Sequence, residues 1–240
     1  MGLFGGSDVS GFNLEAVENL HVTINDAAKS AGECVVGSLT KYVVTPMADA
    51  WYAEEAQQYF KTFSTDVVAK SGESIQKIFQ QFQDNVVKTG NDWAKATGAS
   101  VVVKMADVDP VIINLSVDAI KATKNGDRAL DEGAVQNVIS SLSKCEDEIK
   151  TTLASQAKQL DASTAFLGHG QSDAVQDCFV KVSESIHKIF EYILLGNDAL
   201  SGALTKYKEK YITSAKNVAT SFNNANVTIE KGSSTGGDAA

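Results

Sequence analysis

From Trp51 to Gly98 the chain contains no proline and repeats its large apolar residues at steps of three and four: Tyr52, Ala56, Tyr59 with Phe60, Phe63, Val67, Ile75, Ile78 with Phe79, Phe82, Val86 and Trp93. Side chains three and four apart stack on one face of an α-helix, so this spacing predicts a long amphipathic helix with Glu, Gln, Lys, Asp and Ser on its other face. At 1.5 Å per residue such a helix is about 70 Å long. A rod of that length cannot close a core on itself, so the rest of the chain must pack along it.

The other composition signals agree with an all-α fold. Only Pro46 and Pro110 occur in 240 residues, and both fall where helices are expected to break. The net charge of −9 argues against nucleic acid or an anionic membrane as the main partner, because neither attracts an acidic surface. The longest apolar runs, at 101–103 and 111–113, are far shorter than the roughly 20 residues that span a bilayer, so no stable membrane insertion is expected. The N-terminus has neither the basic residues nor the apolar core of a cleavable signal. Gly6 also stands where a myristoylation signal has Ser or Thr. Cys34, Cys145 and Cys178 are odd in number and lie among helical apolar positions, which suits small buried hydrophobes better than a disulfide framework. His21, His169 and His187 lack metal-binding spacing, and no cofactor or metal is expected.

Taken in order, residues 1–12 are glycine-rich and read as a flexible arm. Asn13 can cap a first helix whose stripe is Leu14, Val17, Leu20, Ile24, Ala27, Ala28, Ala31, Val35, Leu39 and Tyr42, with Gly32 and Gly37 inviting a bend. Val44-Thr45-Pro46 should end or kink that helix, and a short link to Trp51 makes the two helices antiparallel neighbours. Residues 13–97 therefore form a first helical hairpin. Residues 98–113, with Gly98, Pro110 and β-branched runs, form a linker that is extended or packs as an apolar clasp. A second hairpin spans 114–222: helix from Asn114 or Ser116, a break near Asn125-Gly126, helix again from Leu130 to about Leu160, a loop over 166–173, then a last helix through Phe179, Ile186, Ile189, Phe190 and Tyr207. Residues 223–240 turn polar and glycine-rich and read as a flexible tail.

The two halves share a segment. Ser74-Ile75-Gln76-Lys77-Ile78-Phe79 matches Ser185-Ile186-His187-Lys188-Ile189-Phe190 at a separation of 111 residues, with Glu73 over Glu184. Cys34 and Cys145 share that separation. An internal duplication is expected, giving two tandem hairpins arranged like a four-helix bundle, with Phe79 and Phe190 buried where the halves meet.

The order of elements resembles the WXG family of small helical hairpins exported by type VII secretion systems. In that family a turn with Trp-x-Gly joins two antiparallel helices, and an alanine and an aromatic follow on the next helix. Here Trp51 stands for the tryptophan, Ala53 for the glycine, Ala56 for the alanine and Phe60, beside Tyr59, for the aromatic. The resemblance covers residues 13–97, and more faintly the second half. It implies a hairpin fold, export without a cleavable signal and helical protein partners. The family's C-terminal export signal, Tyr-x-x-x-Asp or Glu, has no counterpart: Tyr207 is followed four residues on by Tyr211, and Tyr211 by Ala215.

No enzyme is expected. The nearest chemical motif, Gly168-His169-Gly170-Gln171-Ser172-Asp173, crowds His, Ser and Asp into one turn, whereas a triad needs them to converge from separate segments. The function expected is protein interaction, through self-association or binding to other helical proteins, secreted or within a particle unless the chain stays in the cytoplasm. The alternatives are a structural subunit of a large assembly such as a phage particle, fibre or injection apparatus, and a helical pore-forming toxin. The toxin reading is opposed by Lys104, Asp107 and Asp109, which are costly in hydrocarbon. Candidate site residues are the WXG-like turn, Trp51, Ala53, Ala56 and Phe60, and a helix-packing interface of Phe63, Ile75, Ile78, Phe79, Phe82, Trp93, Ile186, Ile189 and Phe190.

Overall fold

A computed structural model describes residues 11–12, 14–100, 102–161, 166–167, 169–194, 198–214, 216–217 and 220. The fold is all-α, with two minor pairs of two-residue strands. The flexible arm expected over 1–10, the Asn13 cap and the tail expected over 223–240 lie outside the described residues.

Helix α1 covers Leu14–Leu39 and passes through Gly32 and Gly37. The chain does not stop at Pro46. A π turn over Thr40–Val44, in which the Thr45 N–H donates to the Thr40 carbonyl five residues back, opens the helix just ahead of the proline. Pro46 then enters in the first turn of α2, Thr45–Ala50, where its missing N–H costs least. Strand β2, Trp51–Tyr52, and an extended Ala53 reverse the chain into α3, Glu54–Thr62. A second π turn, Phe63–Val68, leads into α4, Ala69–Ala96. That turn absorbs one extra residue. The stripe steps by five from Phe63 to Val68, and it is Val68, not Val67, that is buried, while Val67 is only half-buried.

Residues 99–128 form no helix. The expected helix from Asn114 or Ser116 is replaced by extended chain with a turn closed by Ile120 N–H to Val117 O. Asn125-Gly126 is the tip of a tight reverse turn: both have positive φ, 55° and 88°, and Lys124 and Asp127 exchange backbone bonds across it. Strand β3, Ala129–Leu130, pairs antiparallel with β2. Helix α5, Glu132–Asp161, starts two residues later than expected because the Asp131 side chain caps it, accepting the Ala134 N–H at 2.9 Å. Strand β4, Phe166–Leu167, pairs with β1, Gly11–Phe12. Helix α6, His169–Leu194, begins inside the stretch expected as a loop; α7, Asp198–Tyr207, follows and runs into a π turn, Lys208–Ile212.

The long helices pack in a ring: α1 on α4, α4 on α6, α6 on α5, and α5 back on α1. Every neighbouring pair is antiparallel. His21 meets Gln83 while Gly32 and Gly72 both face Val111 and Ile113 of the non-helical segment after α4, hereafter the strap; Phe63 meets Tyr192 while Phe79 meets Phe179. This up-down-down-up order needs a long crossover between the second and third helices. Residues 97–131 provide it, carrying the chain from the foot of α4 back to the Trp51 end.

Candidate functional site

The turn residues are all inside. Trp51, Ala53 and Ala56 are fully buried, and Phe60 almost so. Trp51 pairs with Leu130 in the small sheet and meets the edge of Tyr207 at 6.3 Å between ring centroids. Ala53 is extended (φ −161°, ψ 161°), a conformation open to any residue, so nothing in the backbone demands the glycine that the WXG pattern has here. Small size is what Ala53 contributes. Phe60 meets Tyr59 and Phe63 edge-on, and Tyr192 of α6 stacks on Phe63 and Tyr59.

A charged collar surrounds this end. Arg128 bonds Glu54 at 2.7 Å and donates to the Tyr211 hydroxyl. Lys210 lies 3.4 Å from Glu54 and 3.5 Å from Glu55, Lys208 bonds Glu132 at 2.9 Å, and Lys124 bonds Asp49 at 3.2 Å. The hydrogen bond to Tyr211 and the acidic neighbours push the Lys210 pKa up. These pairs join the strap, α2, α3, α5 and the segment after α7, so their sum is a register for five segments rather than a large energy.

The packing-interface residues divide. Phe63, Ile75, Phe79 and Phe190 are fully buried, and Phe82, Ile186 and Ile189 nearly so. Phe79 meets Phe179 edge-on at 5.5 Å between centroids, in the contact of α4 with α6. Ile78 is only half-buried against this core. Trp93 is a correction: it is 40 % exposed, because the stripe leaves Val86 through Gly90 and Ala94, which places Trp93 to one side.

The sequence reading missed the polar residues that hold the strap. Gln76 donates to Val108 O (2.9 Å), Gln80 accepts from Val108 N–H (2.6 Å) and Gln83 donates to Ala106 O (2.7 Å). Asn91 takes both backbone groups of Val103, at 2.8 and 3.0 Å, Asn25 accepts from Asp109 N–H, and Ser64 donates to Leu115 O. Gly32 and Gly72 let the strap descend: a Cβ on Gly72 would sit 2.2 Å from the Val111 carbonyl, and one on Gly32 3.0 Å from the Val111 side chain. The available signal was Gln76, Gln80 and Gln83, at helical spacing along the margin of an apolar stripe.

Little here suggests bond-making chemistry. Burial pushes the Cys145 and Cys178 thiols up to about 12, which disfavours thiolate. His21 bonds Gln83 and Asn25, and His187 bonds Glu146. Among the described residues no three His, Cys, Asp or Glu gather as a metal site, and no helix is long and apolar enough to cross a membrane. The backbone of His169–Asp173 is helical, and the side chains of 169–172 lie outside the described residues. No known protein family, curated protein or solved structure matches the chain.

Proposed function

We propose that the protein is a non-enzymatic helical interaction protein of WXG-like build, acting as a substrate or partner of a type VII secretion system. The observation that carries this reading is the Trp51 turn. An extended Trp51-Tyr52-Ala53 joins two long antiparallel helices, with Ala56 and Phe60 buried behind it. The tandem form rests on the segment shared by the two halves, which we read as a duplication. The matched Phe79 and Phe190 are both fully buried, one in each of two contacting helices, so one polypeptide supplies two hairpins that would otherwise come from two chains.

The test is export. A tagged full-length chain, expressed in a host with an active type VII system, is expected in the culture medium and is expected to stay in the cells when the system's ATPase is deleted. Retention in the active host, while that host's own substrates are exported, would sink the proposal.

A second reading, a subunit of a large assembly, draws on the exposed apolar residues Val22, Trp93, Val102, Ile112 and Val180. Light scattering coupled to size exclusion separates the two readings. Large particles favour the assembly; a monomer or small oligomer favours the secreted hairpin protein.

A further inference from the structure

Among the described residues four buried side-chain polar atoms have no hydrogen-bond partner: Trp51 Nε1, Glu55 Oε2, Tyr59 Oη and Gln156 Oε1. Folded proteins leave few such atoms, and each calls for an explanation. Three of these four stand at positions 51, 55 and 59. Glu55 and Tyr59, one step of four apart, share a face of α3, and Trp51 precedes them in the extended turn; this is the side that meets α7, where Tyr207 touches Trp51 and Lys210 lies 3.5 Å from the other Glu55 oxygen. Tyr59 is only 6 % exposed, and burial raises the pKa of its phenol, which therefore stays a donor.

Beside these groups lies an open cleft of about 290 Å³ between α3 and the α6–α7 side. Glu55, Tyr59, Thr62, Tyr192, Gly202 and Lys206 line it. Tyr59 and Tyr192 stack with centroids 6.1 Å apart and planes 23° apart, giving the cleft an aromatic wall. A Cβ added at Gly202, which also lines the cleft, would meet nothing within 4 Å. An aromatic wall with a few convergent polar groups is the make-up of a small-molecule site, and this volume is near the small end of the usual range.

We propose that this cleft binds a small planar aromatic molecule bearing a hydrogen-bond-donating hydroxyl or amine. Its ring lies against Tyr192, and its donor meets the Glu55 carboxylate with the Tyr59 hydroxyl as second partner, both side chains turning outward into the cleft, since neither unpartnered atom faces solvent in the free protein. A carboxylate accepts and cannot donate, so the ligand must bring the proton. An anionic ring without a donor has nothing to give the carboxylate; if it binds, it does so through Lys206, which lines the same cleft, and not in the way proposed. This site is separate from the secretion reading and stands or falls without it.

Phenol and benzylamine serve as probes and benzoate as the control, titrated into the full-length protein and followed by amide NMR. Both donors are expected to give saturable shifts at residues 55–62 and 202–206, and benzoate none. Gly202→Leu fills the cleft and is expected to weaken both donors at least about tenfold without lowering the melting temperature. Tyr59→Phe is expected to weaken phenol and to stabilise the free protein, since it removes an unpartnered hydroxyl. The proposal is overturned if neither donor saturates at these amides, if benzoate binds as well as they do, or if Gly202→Leu leaves their affinity unchanged.

Discussion

Helix α4 and the strap at 102–131 lie side by side, and both bury apolar residues, but they satisfy their backbones in opposite ways. Within α4 each N–H is met four residues away, so the sequence need only keep one face apolar: Ile75, Phe79, Phe82, Val86. Ahead of its two turns, at 117–120 and 124–127, the strap has no such local partners. Its backbone groups at Val103, Ala106, Val108, Asp109 and Leu115 are met by Asn and Gln amides and a serine hydroxyl from the helices beneath. Its buried residues, Val103, Val108, Val111, Ile113 and Leu115, alternate with exposed ones only over the last stretch, where Ile112 is 82 % exposed. One element is specified by its own period, the other by a surface made elsewhere in the chain.

The largest effects are expected in the helical core. Phe79→Ala or Phe190→Ala should cost about 3–5 kcal/mol, since each removes a fully buried ring. Urea unfolding checks this, and a loss below about 0.5 kcal/mol would mean that the contact of α4 with α6 is not the centre of the bundle. Gly72→Ala should come next, at about 1–3 kcal/mol, because the new methyl meets the Val111 carbonyl rather than a yielding side chain. Its signature is local: trypsin should cut at Lys104 faster while the helices persist. Unchanged cutting would show that the strap does not need the close approach.

Gln80→Ala tests the amide readers one at a time. Losing the bond from Val108 N–H should cost about 1 kcal/mol and speed hydrogen exchange at Val108 while leaving Val86 alone. Equal acceleration at both would make strap and helix one cooperative unit. The smallest effect has the opposite sign. Gly37 lies inside α1 with nothing within 4 Å of an added Cβ, so Gly37→Ala should stabilise by about 0.5–1 kcal/mol. Destabilisation there would mean that α1 uses Gly37 for a contact of its own.

The contrast also explains what was legible beforehand. The stripes of α1, α5 and α6 follow from residue spacing, and Val135, Val138, Leu142, Cys145, Ile149, Leu153, Ala157 and Leu160 are buried where the 3.6-residue period puts them. The π turns were not legible, because a five-residue step reads as a defect until the partner face is known; hence Val67 was taken in place of Val68. The helix expected from Asn114 or Ser116 does not form; Leu115 and Ile120 are buried there outside any helix, with Leu115 O accepting from Ser64 and Ile120 closing a turn. For the candidate site, the inward turn residues could be anticipated from size and aromatic content. The unpartnered groups of Trp51, Glu55 and Tyr59 could not, since they are buried only once α7 covers α3.

The strap also decides where the polypeptide enters and leaves. The chain makes five lengthwise passes: α1 with α2, α3 with α4, the strap, α5, and α6 with α7. Five is odd. Gly11 therefore lies at the end where β1 meets β4, and Tyr211 at the opposite end beside Arg128. At 1.5 Å per residue, α1 and α2 alone separate those ends by about 50 Å. A four-pass bundle would bring both points to one platform, whereas here they stand at opposite ends. Gly11 and Tyr211 are held apart by the length of the rod, a separation that distance measurements between labels at those two positions can read directly.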